Sequence, residues 1–251
     1  MVRPTETIAT KAMPSFATKR KAVGRFVEKK IEKLQDDYTA NTPAGSQAKA
    51  HLAILRHGFL DQRLGWLNVG YDLFEGWPTA ELGVLVDEDN QVTTAAVKAV
   101  SIALQMYAIH QQSKSTGMAW FAEVGNQSGA DMSEDQFGRE ITKERGAAYG
   151  ACTHSFGYDC HVVDSILDKK VNHYCLKMLQ RIEDMPSFTG IEHNLWSLIK
   201  LMRSHDVELD YNQFSQDLFD LQFPSVRSSV FSRWSRQYFG TSIDESDGGK
   251  Q

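Results

Sequence analysis

Apolar residues recur every three or four positions along most of this chain, a period that predicts helices rather than strands. The pattern is clearest over residues 189–240, where three helices follow one another. Thr189 and the glutamate three residues later form a predicted capping box, Asp210 is a predicted N-cap, and Pro224 opens the third helix. Gly240 is a typical C-terminal stop. Because none of these helices can bury its apolar stripe alone, we expect them to pack as a small bundle.

The rest of the chain predicts further helices. Residues 18–38 and 46–58 each carry apolar positions on one face, and residues 168–183 repeat that pattern strongly. Residues 91–112 are apolar nearly all round, which is typical of a buried helix. We expect this segment to form the centre of the N-terminal half. Residues 146–164, rich in glycine, cysteine and histidine, predict irregular structure instead.

The pattern as a whole predicts an all-α protein of two packed helical bundles. At 251 residues the chain is long enough to bury a sizeable core. The irregular segment is expected to separate the two bundles, and polar stretches flank them. The predicted organisation is a disordered leader (1–17), an N-terminal helical bundle (18–146), a linker (147–161), a C-terminal helical bundle (162–240) and an acidic tail (241–251).

Composition narrows the class of protein further. Hydrophobic residues make up 41% of the chain and charged residues 24%, which suits a folded, soluble protein. No apolar run approaches the length of a membrane span, so no membrane partner is expected. Three cysteines cannot all pair, which argues against a secreted disulfide framework. We therefore predict a cytoplasmic protein.

The distribution of charge matters more than its sum. The net charge of −5 at first argues against a nucleic-acid partner. Residues 1–35, however, hold nine lysines and arginines against three glutamates, an excess of six positive charges. Acidic residues collect elsewhere, for example in residues 87–89 and in the C-terminal tail. A protein with one basic face and acidic flanks can still hold a phosphate backbone. An ordinary mixed surface is the alternative interpretation, and charge counts alone favour it.

A segment rich in cysteine and histidine raises the question of a metal site. Zinc prefers four cysteine or histidine ligands, which commonly occur in short paired spacings. The spacings here match no standard zinc finger or knuckle, and Cys175 lies in an apolar helical row where a free cysteine packs as a small hydrophobe. We therefore predict no metal ligands. The residues concerned are Cys152, His154, Cys160, His161, His173 and Cys175.

Motifs for catalysis are sparse. His205 and Asp206 are adjacent, as in metal-dependent phosphohydrolases of the HD type, but that chemistry needs further histidine and aspartate ligands from other helices. No glycine-rich phosphate loop and no G-x-S-x-G motif is present. We predict no catalytic residues and no cofactor. A metal-dependent helical phosphohydrolase remains the alternative function, and a helical scaffold without nucleic-acid contact is a third.

Three blocks of sequence resemble the small-subunit family of type I-E CRISPR Cascade complexes, the CasB family. The first is similar to that family's A-x-L-A-x-L-R-R-G helix, and the second resembles its S-L-G-R-A-L element. Here the second arginine of the first motif is His57, which weakens that basic patch at neutral pH. The blocks are Ala50 to Gly58 (AHLAILRHG), Phe137 to Arg139 (FGR), and the C-terminal residues Leu209, Asp210, Tyr211, Asp217, Leu218, Trp234, Tyr238 and Phe239.

The resemblance implies a small α-helical subunit, present in two copies, which assembles with the other Cascade subunits along the guide RNA. It implies contact with the single-stranded DNA that is displaced when guide and target pair, and it implies no catalysis. Exchange of a DNA duplex for an RNA–DNA heteroduplex is nearly balanced in energy, so modest contacts to the backbone decide whether the R-loop stays open. Lysine and arginine supply such contacts without reading the sequence.

The predicted nucleic-acid-binding residues come from two sources. Arg56 and Arg139 fall within the matched blocks, so they are carried over from the resemblance. Helical geometry suggests the others, since Lys49 shares a stripe with Arg56. Ser133 and Gln136 form a further predicted capping box, and the helix that it opens carries both Arg139 and Lys143. Three further cations lie close to one line that spans roughly 16 Å. The full set is Lys49, Arg56, Arg139, Lys143, Lys170, Lys177 and Arg181.

Overall fold

The computed structural model describes residues 14–40, 42–60, 70–71, 73–85, 90–121, 154–167 and 173–240. Within these ranges the chain forms helices joined by turns, which confirms the all-α prediction. In chain order the helices are α1 (Phe16–Thr39), α2 (Pro43–Leu60), α3 (Thr79–Leu82), α4 (Gln91–His110), α5 (Phe156–Ile166), α6 (Tyr174–Glu183), α7 (Phe188–Ser204), α8 (Tyr211–Asp220) and α9 (Pro224–Gly240).

Side-chain caps explain where several helices begin. Asp210 accepts a hydrogen bond from the backbone N–H three residues ahead at 2.9 Å, so the predicted cap of α8 is confirmed. Ser15 caps α1 in the same way at 3.1 Å, and α1 begins two residues earlier than predicted. The capping box predicted at Thr189 is wrong, because Ser187 caps α7 instead. Serine is the stronger N-cap residue of the two.

The start of α2 also differs from the prediction. It begins at Pro43 rather than at Ser46, since proline suits the first turn of a helix. It continues to Leu60, past Gly58. The C-terminal part of the predicted helix 168–183 is α6. His173 adopts a left-handed backbone conformation with φ of 53° just before α6 begins.

Helix α5 lies where irregular structure was predicted. It buries Phe156 and Cys160, and it packs closely against α9. Gly157 makes this approach possible, because a Cβ atom there would collide with the carbonyl oxygen of Trp234. The short run of glycine, cysteine and histidine carries little helical signal by itself. Packing against a neighbouring helix therefore decides the conformation.

Helix α4 lies at the centre of the fold. It is buried on nearly all sides and contacts α1, α2, α7 and α8. The helix pair with the most extensive contact is α1 and α8, so elements of both predicted bundles share one continuous core. The domain boundaries themselves stay a prediction. Residues 147–153 of the predicted linker lie outside the described residues, and α5 occupies the end of that linker.

Among the described residues, α4 is also the one helix long and apolar enough to match a membrane span. In its most apolar window, 72% of the residues are buried inside the protein. A core helix passes the same test of length and hydropathy, and the contacts of α4 on four sides are those of a core helix.

A buried histidine joins α4 to α8. The Nε2 atom of His110 lies 2.9 Å from the Val207 carbonyl oxygen, and its Nδ1 atom lies 3.1 Å from the Tyr211 hydroxyl. The carbonyl can only accept, so Nε2 carries the proton and Nδ1 accepts from Tyr211. Burial, opposed in part by the bond to Val207, lowers the pKa of His110 to about 3. The imidazole is therefore neutral at pH 7, and it fixes the chain that leads into α8.

Candidate nucleic-acid interface

Two cations of α2 lie near Tyr38, close to the end of α1, and a third cation, from α7, lies near one of them. The ε-ammonium group of Lys49, on α2, lies 5.5 Å from the centre of the Tyr38 ring. Arg56, also on α2, lies close enough to Tyr38 and to Arg203 of α7 to interact electrostatically with both. The structure therefore brings the predicted residues Lys49 and Arg56 together with Arg203. We call Tyr38, Lys49, Arg56 and Arg203 the Tyr38 cluster.

The described acidic residues do not neutralise the charges of the Tyr38 cluster. None of its three cations forms an ion pair with a carboxylate of the described residues. Arg203 instead donates to neutral acceptors, the Ile109 carbonyl oxygen at 3.4 Å and Gln112 Oε1 at 2.7 Å. Burial lowers the pKa of Arg56, Tyr38 opposes that shift, and the positive charge of Arg203 adds to it. Arginine still stays protonated at neutral pH, so two like charges favour an anion between them.

A second set of cations lies on the outer face of α1. Lys21, Arg25 and Lys29 are exposed and follow one another at four-residue spacing over about 12 Å. None of them forms an ion pair with any residue in the described ranges. We call these three residues the α1 row. They were not among the predicted site residues, although the excess of positive charge in residues 1–35 was a signal that could have found them.

The remaining predicted cations divide into two groups. Lys177 and Arg181 are exposed and one turn apart on α6, as the predicted helical line requires. The third member of that line, Lys170, lies outside the described residues, as do Arg139 and Lys143. The role of all five in nucleic-acid binding stays a prediction.

Other cations are already neutralised inside the protein. Arg20 pairs with Asp220 at 3.2 Å, and Lys30 pairs with Glu75 at 3.5 Å. Arg233, which faces α8 from α9, pairs with the fully buried Asp217. These side chains hold helices together, so they are poor candidates for contact with phosphate.

Asp217 lies at the centre of a buried polar network. Its carboxylate accepts hydrogen bonds from the Arg233 guanidinium, from Trp234 Nε1 at 2.6 Å and from Gln213 Nε2 at 2.9 Å. Burial raises the pKa of Asp217, and these three partners only partly oppose that shift. The network therefore holds α8 and α9 together, but the charge itself is costly to bury.

Cysteine and histidine side chains of the segment rich in these residues lie on α5 and at the start of α6, and two of the histidines contact Tyr238 of α9. Cys160 and Cys175 are buried free thiols on adjacent helices, and burial together with the hydrogen bond to Cys175 raises the pKa of Cys160. His161 and His173 both contact Tyr238. Over the described part of the chain, no three histidine, cysteine, aspartate or glutamate side chains form a group that could hold a metal ion.

The residues of the alternative phosphohydrolase motif have other contacts. His205 follows the last residue of α7, and its neighbour Asp206 has a left-handed φ of 55°. The Asp206 carboxylate pairs with Lys114 at 2.5 Å. This adjacent pair therefore forms part of a turn between α7 and α8.

Asp159 is a buried acid at the first turn of α5. Neither carboxylate oxygen has a hydrogen-bond partner within the described residues, and the side chain is 1% exposed. Burial, with the charges of Asp210 and Glu208, raises its pKa well above the ordinary value. The ionised form is therefore disfavoured in the folded protein.

Replacing Asp159 by asparagine is expected to stabilise the protein at pH 7 by about 1–2 kcal/mol, since asparagine needs neither to bury a charge nor to take up a proton on folding. The raised pKa means that the wild type loses stability as the pH rises above 3.8 toward the folded-state pKa. The advantage of the variant should thus shrink toward pH 4. Urea unfolding at pH 7 and pH 4 measures both effects. An asparagine variant that is less stable at pH 7 would contradict the prediction.

Fold and surface together define an all-helical protein with clusters of cations that the acidic residues of the described ranges leave unpaired. A family model for CRISPR-associated protein Cse2 matches residues 51–239 of the 251. The chain therefore belongs to the Cse2 family, also called CasB, the small-subunit family of type I-E CRISPR Cascade, as the sequence resemblance indicated. In this family the role is that of a structural subunit of Cascade.

One solved structure supports the fold. The crystal structure of CasB from Thermobifida fusca is similar with a TM-score of 0.56 and 21% sequence identity, covering 86% of this chain and 97% of that chain. At that identity the likeness shows the shared fold. The crystal structure of M. ruber CasB is matched with a TM-score of 0.48 and 13% identity, over 92% of this chain and 98% of that chain. No curated protein sequence matches the chain significantly.

Proposed function

We propose that this Cascade small subunit binds single-stranded DNA displaced from the target, and the backbone of the guide RNA, and thereby stabilises the R-loop. The observation that carries the proposal is the Tyr38 cluster, in which three cations lie together without a carboxylate partner among the described residues. Cations left unpaired in the folded state are free to neutralise phosphates. Tyr38, which lies near Lys49 and Arg56, offers a surface on which a base can stack.

The proposed binding is independent of sequence and involves no reaction. Lysine and arginine contact phosphate and sugar, which position a polynucleotide but carry no information about its bases. The α1 row, together with Lys177 and Arg181, would extend the contact along the strand. The proposed partners are single-stranded DNA, guide RNA, the other Cascade subunits and a second copy of this chain, all in the cytoplasm.

The test is a titration of the full-length protein with a fluorescent single-stranded oligonucleotide at several salt concentrations. Replacing Arg56 and Arg203 together by glutamine is expected to weaken binding roughly tenfold at low salt. The slope of log affinity against log salt should fall by about 1.4, because each single-strand phosphate contact contributes about 0.7. The loss should be the same for two unrelated sequences, since phosphate contacts do not read bases.

The matched control replaces Lys30 and Lys114 by glutamine. It removes the same net charge, but these two lysines pair with Glu75 and Asp206 in the folded protein. We expect little change in the slope for this control. If the control and the Arg56/Arg203 variant lose affinity equally, only net charge matters and the Tyr38 cluster is not the site. Unchanged affinity and slope in the Arg56/Arg203 variant would also reject it.

A further inference from the structure

One corner of the fold is built where three helices meet. Tyr238, near the end of α9, donates its hydroxyl to Asp164 of α5 at 2.8 Å, and the same hydroxyl lies 3.4 Å from His173 Nδ1. The Asp164 carboxylate also accepts the backbone N–H groups of Cys175 at 2.9 Å and Leu176 at 3.1 Å. The C-terminus of α9 is thus held beside the first turn of α6.

Apolar side chains are exposed at this corner. Ile166 is 52% exposed, Tyr174 is 43% exposed and Phe239 is 50% exposed. Each lies, along the chain, within two residues of a member of the hydrogen-bonded group formed by Asp164, His173 and Tyr238. Apolar groups gathered on a surface and bordered by polar residues mark a binding site.

Cations border the exposed apolar side chains. Tyr174, Lys177 and Arg181 share one face of α6, because they are three and four residues apart. Arg236 is exposed one turn before Phe239 on α9. Lys177, Arg181 and Arg236 form no ion pair with a carboxylate in the described parts of the chain. We call the set Ile166, Tyr174, Lys177, Arg181, Arg236 and Phe239 the α9 corner.

We propose that the chain's own acidic tail, residues 241–251, docks on the α9 corner and competes there with polynucleotide. The tail reads TSIDESDGGKQ, with one large apolar residue, Ile243, followed by Asp244, Glu245 and Asp247. Ile243 packs on the exposed apolar side chains, and the three carboxylates face the cations. The docking depends only on the residues of the α9 corner and of the tail, whereas the competition with polynucleotide rests on the proposed function.

Distance and charge favour the tail over other occupants. The tail leaves α9 at Gly240, two residues after Tyr238, so it starts at the corner. Seven residues reach at most about 23–25 Å when extended, and α6 from Tyr174 to Arg181 measures about 10 Å. A tethered segment of this length has an effective concentration on the order of millimolar. Each exposed ion pair is weak, so the contact requires several pairs and responds to salt.

A zero-length carbodiimide cross-link tests the docking without any nucleic acid. The expected product in dilute full-length protein is an amide between Lys177 Nζ and a carboxylate of Asp244, Glu245 or Asp247, identified by mass spectrometry. Its yield should fall several-fold in high salt and in the Arg181→Gln variant, which keeps the lysine. A mixture of isotopically light and heavy protein distinguishes contacts within one chain from contacts between two copies.

Three outcomes would overturn the docking. One is the absence of a tail cross-link to Lys177. Another is tail cross-links spread equally over Lys21, Lys29 and Lys49, which would mean a non-specific attraction to positive charge. Cross-links found only between light and heavy chains would also overturn it, because the occupant would then be a second copy.

The competition is tested by removing the tail charges while keeping the tail. The variant Asp244→Asn/Glu245→Gln/Asp247→Asn is expected to bind a single-stranded oligonucleotide about fivefold more tightly at low salt. The matched control, Asp87→Asn/Glu88→Gln/Asp89→Asn, changes the net charge equally at another acidic run. Combining the tail variant with Lys177→Gln/Arg181→Gln should abolish its advantage.

Failure of either proposal gives a distinct result. If the tail variant and its control tighten binding equally, the competition is wrong and the cross-link still reports on docking. If no variant of the protein binds the oligonucleotide, the proposed function is wrong for the isolated subunit and the competition falls with it. The cross-link to Lys177 would be unaffected by that failure.

Discussion

Replacing Asp217 by alanine is expected to lower the free energy of unfolding by about 3–5 kcal/mol, the usual cost of breaking a buried ion pair from one side. The change leaves the Arg233 guanidinium and the Trp234 Nε1 donor without their acceptor in the contact between α8 and α9. Trp234 is itself buried, so water cannot easily replace the lost oxygen. Urea denaturation at pH 7 measures the difference.

Two further variants distinguish the effect of losing the Asp217–Arg233 ion pair from the effect of losing the buried charge of Asp217. Asp217→Asn keeps one oxygen acceptor and should destabilise the protein clearly less than Asp217→Ala. Burial raises the pKa of Asp217, so the folded protein already carries a cost for the ionised carboxylate that asparagine removes. Asp217→Leu/Arg233→Met removes both partners and should be less destabilised than Asp217→Ala alone. A loss below about 1 kcal/mol for Asp217→Ala would mean that the network does not join the two helices as described.

The second large effect is a loss of stability in acid that depends on His110. Its folded pKa of about 3 lies below its ordinary value of 6.5, so the unfolded chain binds a proton more readily between these values. Stability should therefore fall as the pH drops below 6.5, by about 1.4 kcal/mol per pH unit until the folded pKa is reached. Between pH 7 and pH 4 this single group accounts for roughly 3 kcal/mol.

The variant His110→Gln isolates that contribution. It cannot titrate, and it is expected to be less stable at pH 7 because the paired bonds to Val207 and Tyr211 are disturbed. Its further loss between pH 7 and pH 4 should be smaller than that of the wild type by about 3 kcal/mol. The comparison is needed because Asp159, Asp217 and Asp220 have raised pKa values and act in the opposite direction. Equal losses in both proteins would contradict the assignment.

The sequence determined the helices with a strong period and a clear cap. Helix α4 and the C-terminal helices α8 and α9 lie close to their predicted positions, because apolar spacing and caps such as Asp210 act over a few residues. The family motifs are also local, and the match to the Cse2 family confirms that resemblance. Local rules failed where packing outweighed them, as in α5, whose helix depends on the approach of Gly157 to α9.

The tertiary structure alone decided which charges are available. Arg56 and Arg203 are far apart in sequence, and only the packing of α2 and α7 around α4 brings them close enough to interact electrostatically. The same packing pairs Arg233 with the buried Asp217. Along the chain, a paired cation and an unpaired one look alike, because electrostatic interaction depends on distance in space and on burial. The positions of helices can therefore be predicted from the sequence, whereas the set of cations that stay unpaired depends on the fold.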